Sequence, residues 1–328
     1  MMKMSRTAAF CGILALGAAQ APGLAAQETA ATYPSQSIRI VAPFAPGALT
    51  DILARLISSK MSPEWGQPVI VENRPGASGA VGTGEVAQAK PDGYTMVVIT
   101  SGHVINPNFN TLPYDPVTSF EPVIMLTGIP NLLVVHPSVP ANTLDELVEL
   151  VRNDPASYPY ATSGAGGSSH ITTEYFKHVA GLANEHVPYK GGALAMADLA
   201  AGHVKVAMTT VPTGVPFIQE GRARPLAVSS GERSPVLQDV PTLVESGYPD
   251  VDTVEWWGVL TPAGTPLDIR EKLNAEITRI MQLPDVQERL AQLGVSFNGG
   301  SIDEFRDFLQ DETGKWAHII KTAGVTID

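Results

Sequence analysis

Two stretches of the chain carry the residue types that hold an anion without a cation. The first runs Pro43-Phe44-Ala45-Pro46-Gly47-Ala48-Leu49-Thr50-Asp51, and the second Thr162-Ser163-Gly164-Ala165-Gly166-Gly167-Ser168-Ser169-His170. Each follows an apolar run and opens an amphipathic one, the pattern of a strand that turns into a helix. Such a turn leaves backbone N–H groups unpaired at the positive end of a helix dipole, where a carboxylate binds. Neither stretch contains lysine or arginine, so the donors on offer are main-chain amides and, in the second, the hydroxyls of Ser163, Ser168 and Ser169. Taken alone, the first turn also fits an ordinary strand-to-helix connection in which Thr50 and Asp51 cap the helix.

Other chemistries fall short on spacing. The glycines at 164 and 166 begin a dinucleotide fingerprint, but Ser169 stands where its third glycine belongs and no confirming acid lies about 20 residues on. Gly76-Ala77-Ser78-Gly79 approaches a nucleophile elbow, and Ala80 breaks it. Lys190 with Gly191 and Gly192 lacks the glycine spacing and the Ser or Thr of a phosphate loop. His170, Glu174 and His178 fall on one helical face at metal-capable spacing, but a solvated amphipathic face has the same pattern and no further ligand is near. The single cysteine, Cys11, excludes disulfides and lies in a segment expected to be removed. No catalytic residue, metal or cofactor is expected.

That segment places the protein. Lys3 and Arg6 precede an apolar run over 8–18, and small residues follow at Gly23, Ala25 and Ala26, which reads as a signal peptide over 1–26. The run is too short to span a bilayer. Export is therefore expected, to the periplasm. Cleavage takes Lys+Arg from 21 to 19 against 33 acids, a net charge of −14. Nucleic acid is not expected as a partner, and an anionic ligand must be held by local donors rather than by the overall field.

The elements that position the two turns follow from patterning. Apolar runs at 38–42, 69–71, 96–100, 123–126, 132–135, 204–208 and 226–228 read as buried strands alternating with amphipathic helices, an α/β architecture. About 300 mature residues fill two cores. Three helix starts are marked: Thr143 with Glu146, Thr265 with Pro266 at the first helical position, and Ser301 with Glu304.

The first turn, then Glu72-Asn73-Arg74-Pro75-Gly76, Lys90-Pro91-Asp92-Gly93-Tyr94, Leu112-Pro113-Tyr114-Asp115, His170, Val187-Pro188-Tyr189-Lys190-Gly191, Val240-Pro241-Thr242 and Pro262-Ala263-Gly264-Thr265-Pro266 occur in an order that resembles the Bug family. These are periplasmic receptors of tripartite tricarboxylate transporters. The likeness extends from about residue 33 to the C-terminus.

The resemblance implies a two-lobed periplasmic binding protein of the Venus-flytrap type. One lobe comprises 33–129 plus 254–328 and the other 130–253, with a small carboxylate in the cleft and membrane permease subunits as partners of a monomer. It implies ligand contacts from Phe44, Gly47, Ala48, Thr50, Asp51, Ser101, Ser163, Gly166, Ser168, Ser169 and Asp198. Ala48 and Gly167 replace a common glycine and serine of the family, so the particular acid does not carry over. His170 is read as fixing its loop, Lys190 as standing at the rim or supporting the structure, and Trp256 and Trp257 as packing the hinge or a cleft wall. A secreted α/β hydrolase-like enzyme and a ligand sensor for a signalling partner are the alternative functions.

Overall fold

The computed structural model describes residues 29–327; the signal-peptide reading and Cys11 lie outside the described residues. The chain alternates strand and helix: β1 (Ile38–Ala42), α1 (Leu49–Trp65), β2 (Val69–Asn73), α2 (Ala80–Ala87), β3 (Thr95–Thr100), α3 (Gly102–Ile105), β4 (Phe120–Val135) and α4 (Leu144–Asn153). There follow β5 (Tyr160–Thr162), α5 (Ser168–Ala180), β6 (His186–Pro188), α6 (Gly192–Ala200), β7 (Val206–Thr210), α7 (Val211–Gln219) and β8 (Arg224–Val228). The chain returns through β9 (Val254–Pro262) and ends in α8 (Leu267–Met281), α9 (Pro284–Gln292) and α10 (Ile302–Ala323).

β4 joins two sheets. Its first part pairs antiparallel with β9, which continues into β3, β1 and β2, while its last residues pair with β7 on one side and β8 on the other. The apolar runs at 123–126 and 132–135, expected as separate strands, are thus one strand. Pro130 lies between them and has no N–H to give, but it stands at the change of partners: Pro130 is the last residue matched to β9, and Asn131 the first matched to β7. Chain direction therefore passes from one sheet to the other without a turn.

Capping follows the sequence in two of three cases. Thr143 Oγ1 accepts the Glu146 amide at the head of α4, and Ser301 with Glu304 forms a complete capping box on α10. Pro266 instead stands at the N-cap of α8, one position before the first helical residue, and Thr265 Oγ1 turns back to the Pro262 carbonyl at 2.7 Å.

Each sheet has its own core. Ile38, Ile40, Met96 and Val98 pack with Leu53, Ile57, Leu273 and Ile277 in one, and Leu132, Val134 and Ala207 with Met196 and Leu199 in the other. A third cluster crosses between them. It is organised by α10, whose Phe305, Leu309, Trp316 and Ile319 pack together with Ile99 and Trp256 and also with Ile171 and Tyr175 of α5. Strand alternation sends neighbouring tryptophans to opposite faces. Trp256 goes to α10, where its Nε1 and that of Trp316 both donate to Glu312 Oε2 at 2.8 Å, and Trp257 goes to the cleft.

Candidate functional site

The cleft lies where the strand ends of the two sheets meet and holds two adjoining chambers of about 360 and 380 Å³. Leu49, Ser163, Glu255 and Trp257 wall both. The first chamber is built from three loops that follow β1, β3 and β5. Phe44, Ala48, Leu49 and Thr50 come from one, Thr100, Ser101 and Gly102 from the next, and residues 163–168 from the last.

Two helices point their N-termini into this chamber with no side-chain cap. α1 begins after Ala48 and α5 after Gly167, so the first amides of each lack an intrahelical acceptor. Asp51 would compete for them as a capping acid, but its carboxylate is drawn elsewhere. Oδ2 accepts the Gly47 amide at 2.9 Å, and Oδ1 accepts Arg55 Nε and Asn73 Nδ2, each at 2.9 Å. Burial works to raise its pKa, but these hydrogen bonds outweigh it and hold the carboxyl below the usual range. Asp51 therefore shapes the turn, and it does not line the cleft.

The second loop is braced the same way. His170 Nδ1 accepts the Gly166 amide at 3.1 Å, the loop-fixing role expected of it, and Ser163 Oγ lies 3.0 Å from Ser169 Oγ. Ser168 Oγ accepts Asn131 Nδ2 at 3.0 Å, which leaves its own proton free to donate into the chamber. Gly164 and Gly166 have φ of +148° and +75°, conformations that bring the backbone close to a ligand without a Cβ.

Of the residues expected from the sequence, the structure brings Phe44, Gly47, Ala48, Thr50, Ser101, Ser163, Gly166 and Ser168 to the cleft wall. Asp51, Ser169 and Asp198 do not line it. Ser169 lies behind Ser163, and the Asp198 carboxylate accepts the Tyr189 hydroxyl at 2.8 Å. Lys190 is exposed and lies outside both linings. Glu174, part of the spacing that suggested metal, is held by Lys177 Nζ at 2.7 Å and by the Tyr160 hydroxyl.

Several lining residues escaped the sequence reading. Ser78 and Asn106 enter from the segment weighed as a nucleophile elbow and from the turn after α3. Ser78 sits at φ +53°, and Asn106 Nδ2 donates to the Ala77 and Ser78 carbonyls, steadying that left-handed pair. No hydrogen bond joins Ser78 to a histidine or an acid among the described residues. Thr209, Thr210 and Thr213 line the second chamber together with Ile52, Ile129 and Leu293. Glu255 faces both chambers, and burial pushes its carboxyl up to about 7. Its signal was one acid in the run Val254-Glu255-Trp256-Trp257, where alternation puts Glu255 and Trp257 on one face.

Residues 53–325 match the model of the tripartite tricarboxylate transporter family receptors. The chain belongs to this family. Protein BugT of Bordetella pertussis is 33% identical over 329 residues, covering 99% of this chain and all of that one. Solved structures of similar receptors include Rpa4515 of R. palustris with adipate, with 35% identity, a TM-score of 0.77 and coverage of 90% of this chain and 99% of that one. MatC of Rhodopseudomonas palustris with bound malate has 32% identity, a TM-score of 0.74 and coverage of 88% and 100%. The fold of this receptor is accordingly the two-lobed α/β periplasmic-binding-protein fold. The family is one of solute-binding receptors, and among the described residues no helix is long and apolar enough to cross a membrane.

Proposed function

We propose that this receptor captures a small carboxylate in the periplasm and presents it to the membrane permease of a tripartite tricarboxylate transporter, without transforming it. One observation carries the reading: two uncapped helix N-termini, those of α1 and α5, converge on one chamber that, among the described residues, has no lysine or arginine in its walls. Main-chain amides there, with Thr50, Ser101 and Ser168 hydroxyls, match a carboxylate's demand for several donors. Similar receptors solved with adipate and malate support the ligand class.

The lobes in this proposal are 33–129 with 254–328, and 130–253. β4 and the start of β9 are the strands about which they rotate, the ligand being enclosed by hinge closure. Residues 1–26 are proposed to direct export and to be removed.

A thermal-shift screen across aliphatic, hydroxy, amino and aromatic acids tests the function. A ligand at about 100 times its dissociation constant stabilises by roughly 2.7 kcal/mol if it binds only the native state. Chromatography of the same mixtures should return each acid unchanged. A panel without any shift, or a consumed acid, rejects the proposal.

A further inference from the structure

Among the described residues, Glu255 is the one ionisable side chain on the walls of the two chambers. It lies on β9 opposite Ile129 of β4, where the strands pass from one sheet to the other, and the walls around it are Leu49, Trp257, serine and threonine. Among the described residues no lysine, arginine or histidine pairs with it, and burial is the cause that raises its carboxyl. A carboxyl placed without a partner in a cleft made for anions needs a chemical reason. A partly buried charge without a counter-charge costs stability, and beside a bound carboxylate it adds repulsion.

A second group in the same cavity lacks a partner. Thr209 Oγ1 is buried, lines the second chamber and makes no hydrogen bond. Behind the first chamber, Asn131 Nδ2 donates to Ser168 Oγ, while Asn131 Oδ1 is buried without a partner but lies outside both linings. The cleft thus divides by chemistry. Neutral donors surround the first chamber, Glu255 stands where the two chambers adjoin, and the unpartnered Thr209 hydroxyl lies on the second.

We propose that the ligand is an amino-carboxylate, whose carboxylate is held by the amides of the two loops and whose ammonium is held by Glu255. The inference rests on the carboxylate-receptor reading and names the substrate class within it. An ammonium carries three donors, enough for the Glu255 carboxylate and for Thr209 Oγ1 together. A second carboxylate in that place would pair with Glu255 only while one of the two held a proton, whereas an ammonium pairs with the ionised form. Ile52, Ile129, Leu293 and Val295 provide apolar surface for the carbon frame.

Calorimetry with the intact protein and matched acids tests this: 6-aminohexanoate against hexanoate and adipate, leucine against 4-methylpentanoate, and phenylalanine against 3-phenylpropanoate. At pH 7.5, at least one amino member should bind tenfold or more tightly than its partner without the amine. Glu255→Gln should reduce that preference below twofold while leaving the amine-free acid bound as before or better. Thr209→Val should weaken the amino member alone. The proposal is overturned if every amine-free acid or adipate binds more tightly than its amino counterpart, or if the preference survives in Glu255→Gln. No binding by any acid to either protein rejects the carboxylate site itself, and the inference falls with it.

Discussion

The imidazole of His170 lies stacked on that of His186, with ring centroids 4.0 Å apart and planes 16° from parallel. Tyr160 also stacks on His186, and Thr162 Oγ1 lies 2.7 Å from His186 Nε2, so the stack adjoins the loop that forms one wall of the cleft. Burial lowers both imidazoles. His186 goes down to about 4, with His170 beside it lowering it further, and Glu174 and Lys177 acting on both in opposite directions.

An unfolded chain binds these protons near pH 6.5, and the folded one only further down. The stability supplied by the neutral pair is therefore complete above that pH and is lost as pH falls toward about 4. Protonation of His170 also removes the acceptor of the Gly166 amide. Thermal melts from pH 7.5 to 4.5 should show a shallower acid loss in His186→Gln than in the wild type. Parallel curves would deny the stack a role.

Glu255 has the opposite sign. Its folded carboxyl is raised from 4.5 to about 7, so its contribution is fully present below pH 4.5 and lost as pH rises through about 7. Glu255→Gln should leave the melting temperature near the wild-type value at pH 5 and raise it at pH 8. A difference that does not grow with pH counts against a partly buried, unpaired carboxylate.

Gly166 opposes a side chain through its backbone conformation. At φ +75° an L residue is strained, and a Cβ would stand 3.4 Å from Ile327 Cδ1 and Cγ2. Gly166→Val should abolish ligand binding with little change in expression, because the loop is at the surface of its lobe while its amides face the cleft. Calorimetry on the purified variant decides, and normal affinity would remove residues 163–170 from the binding wall.

Recognition through neutral donors predicts sensitivity to the ligand's charge more than to nearby lysine. Charge-assisted hydrogen bonds contribute about 1.5 to 3 kcal/mol each, so the methyl ester of the best acid should bind at least about tenfold more weakly. Lys190→Met, at an exposed position outside both chambers, should weaken binding only modestly. Titrations with acid and ester on both proteins test this. Equal affinity for the ester, or complete loss in Lys190→Met, would replace the mechanism.

Gly258 is a packing glycine. A Cβ there would come within 2.2 Å of the Phe305 ring, where β9 meets α10. Gly258→Ala should destabilise by about 1 to 3 kcal/mol, the usual cost of overpacking a core. Denaturant unfolding gives the value, and an unchanged midpoint would show that Phe305 moves aside without cost.

Local chemistry was legible in the sequence. The strand-to-helix turns after 42 and 162, the absence of cations in both, the capping residues Thr143 and Ser301 and the order of the family's motifs all depend on residues close together in the chain, where spacing and side-chain type suffice. The tertiary structure decided the rest. It made one strand of two apolar runs by changing partners at Pro130, and it set α10 across both cores. It turned Asp51 back onto Gly47, and it gathered Ser78, Asn106, Thr209 and Glu255 from distant segments onto one cleft. Periodicity specifies which face of an element is buried, but not which other element covers it; that choice is made by packing among residues far apart in sequence.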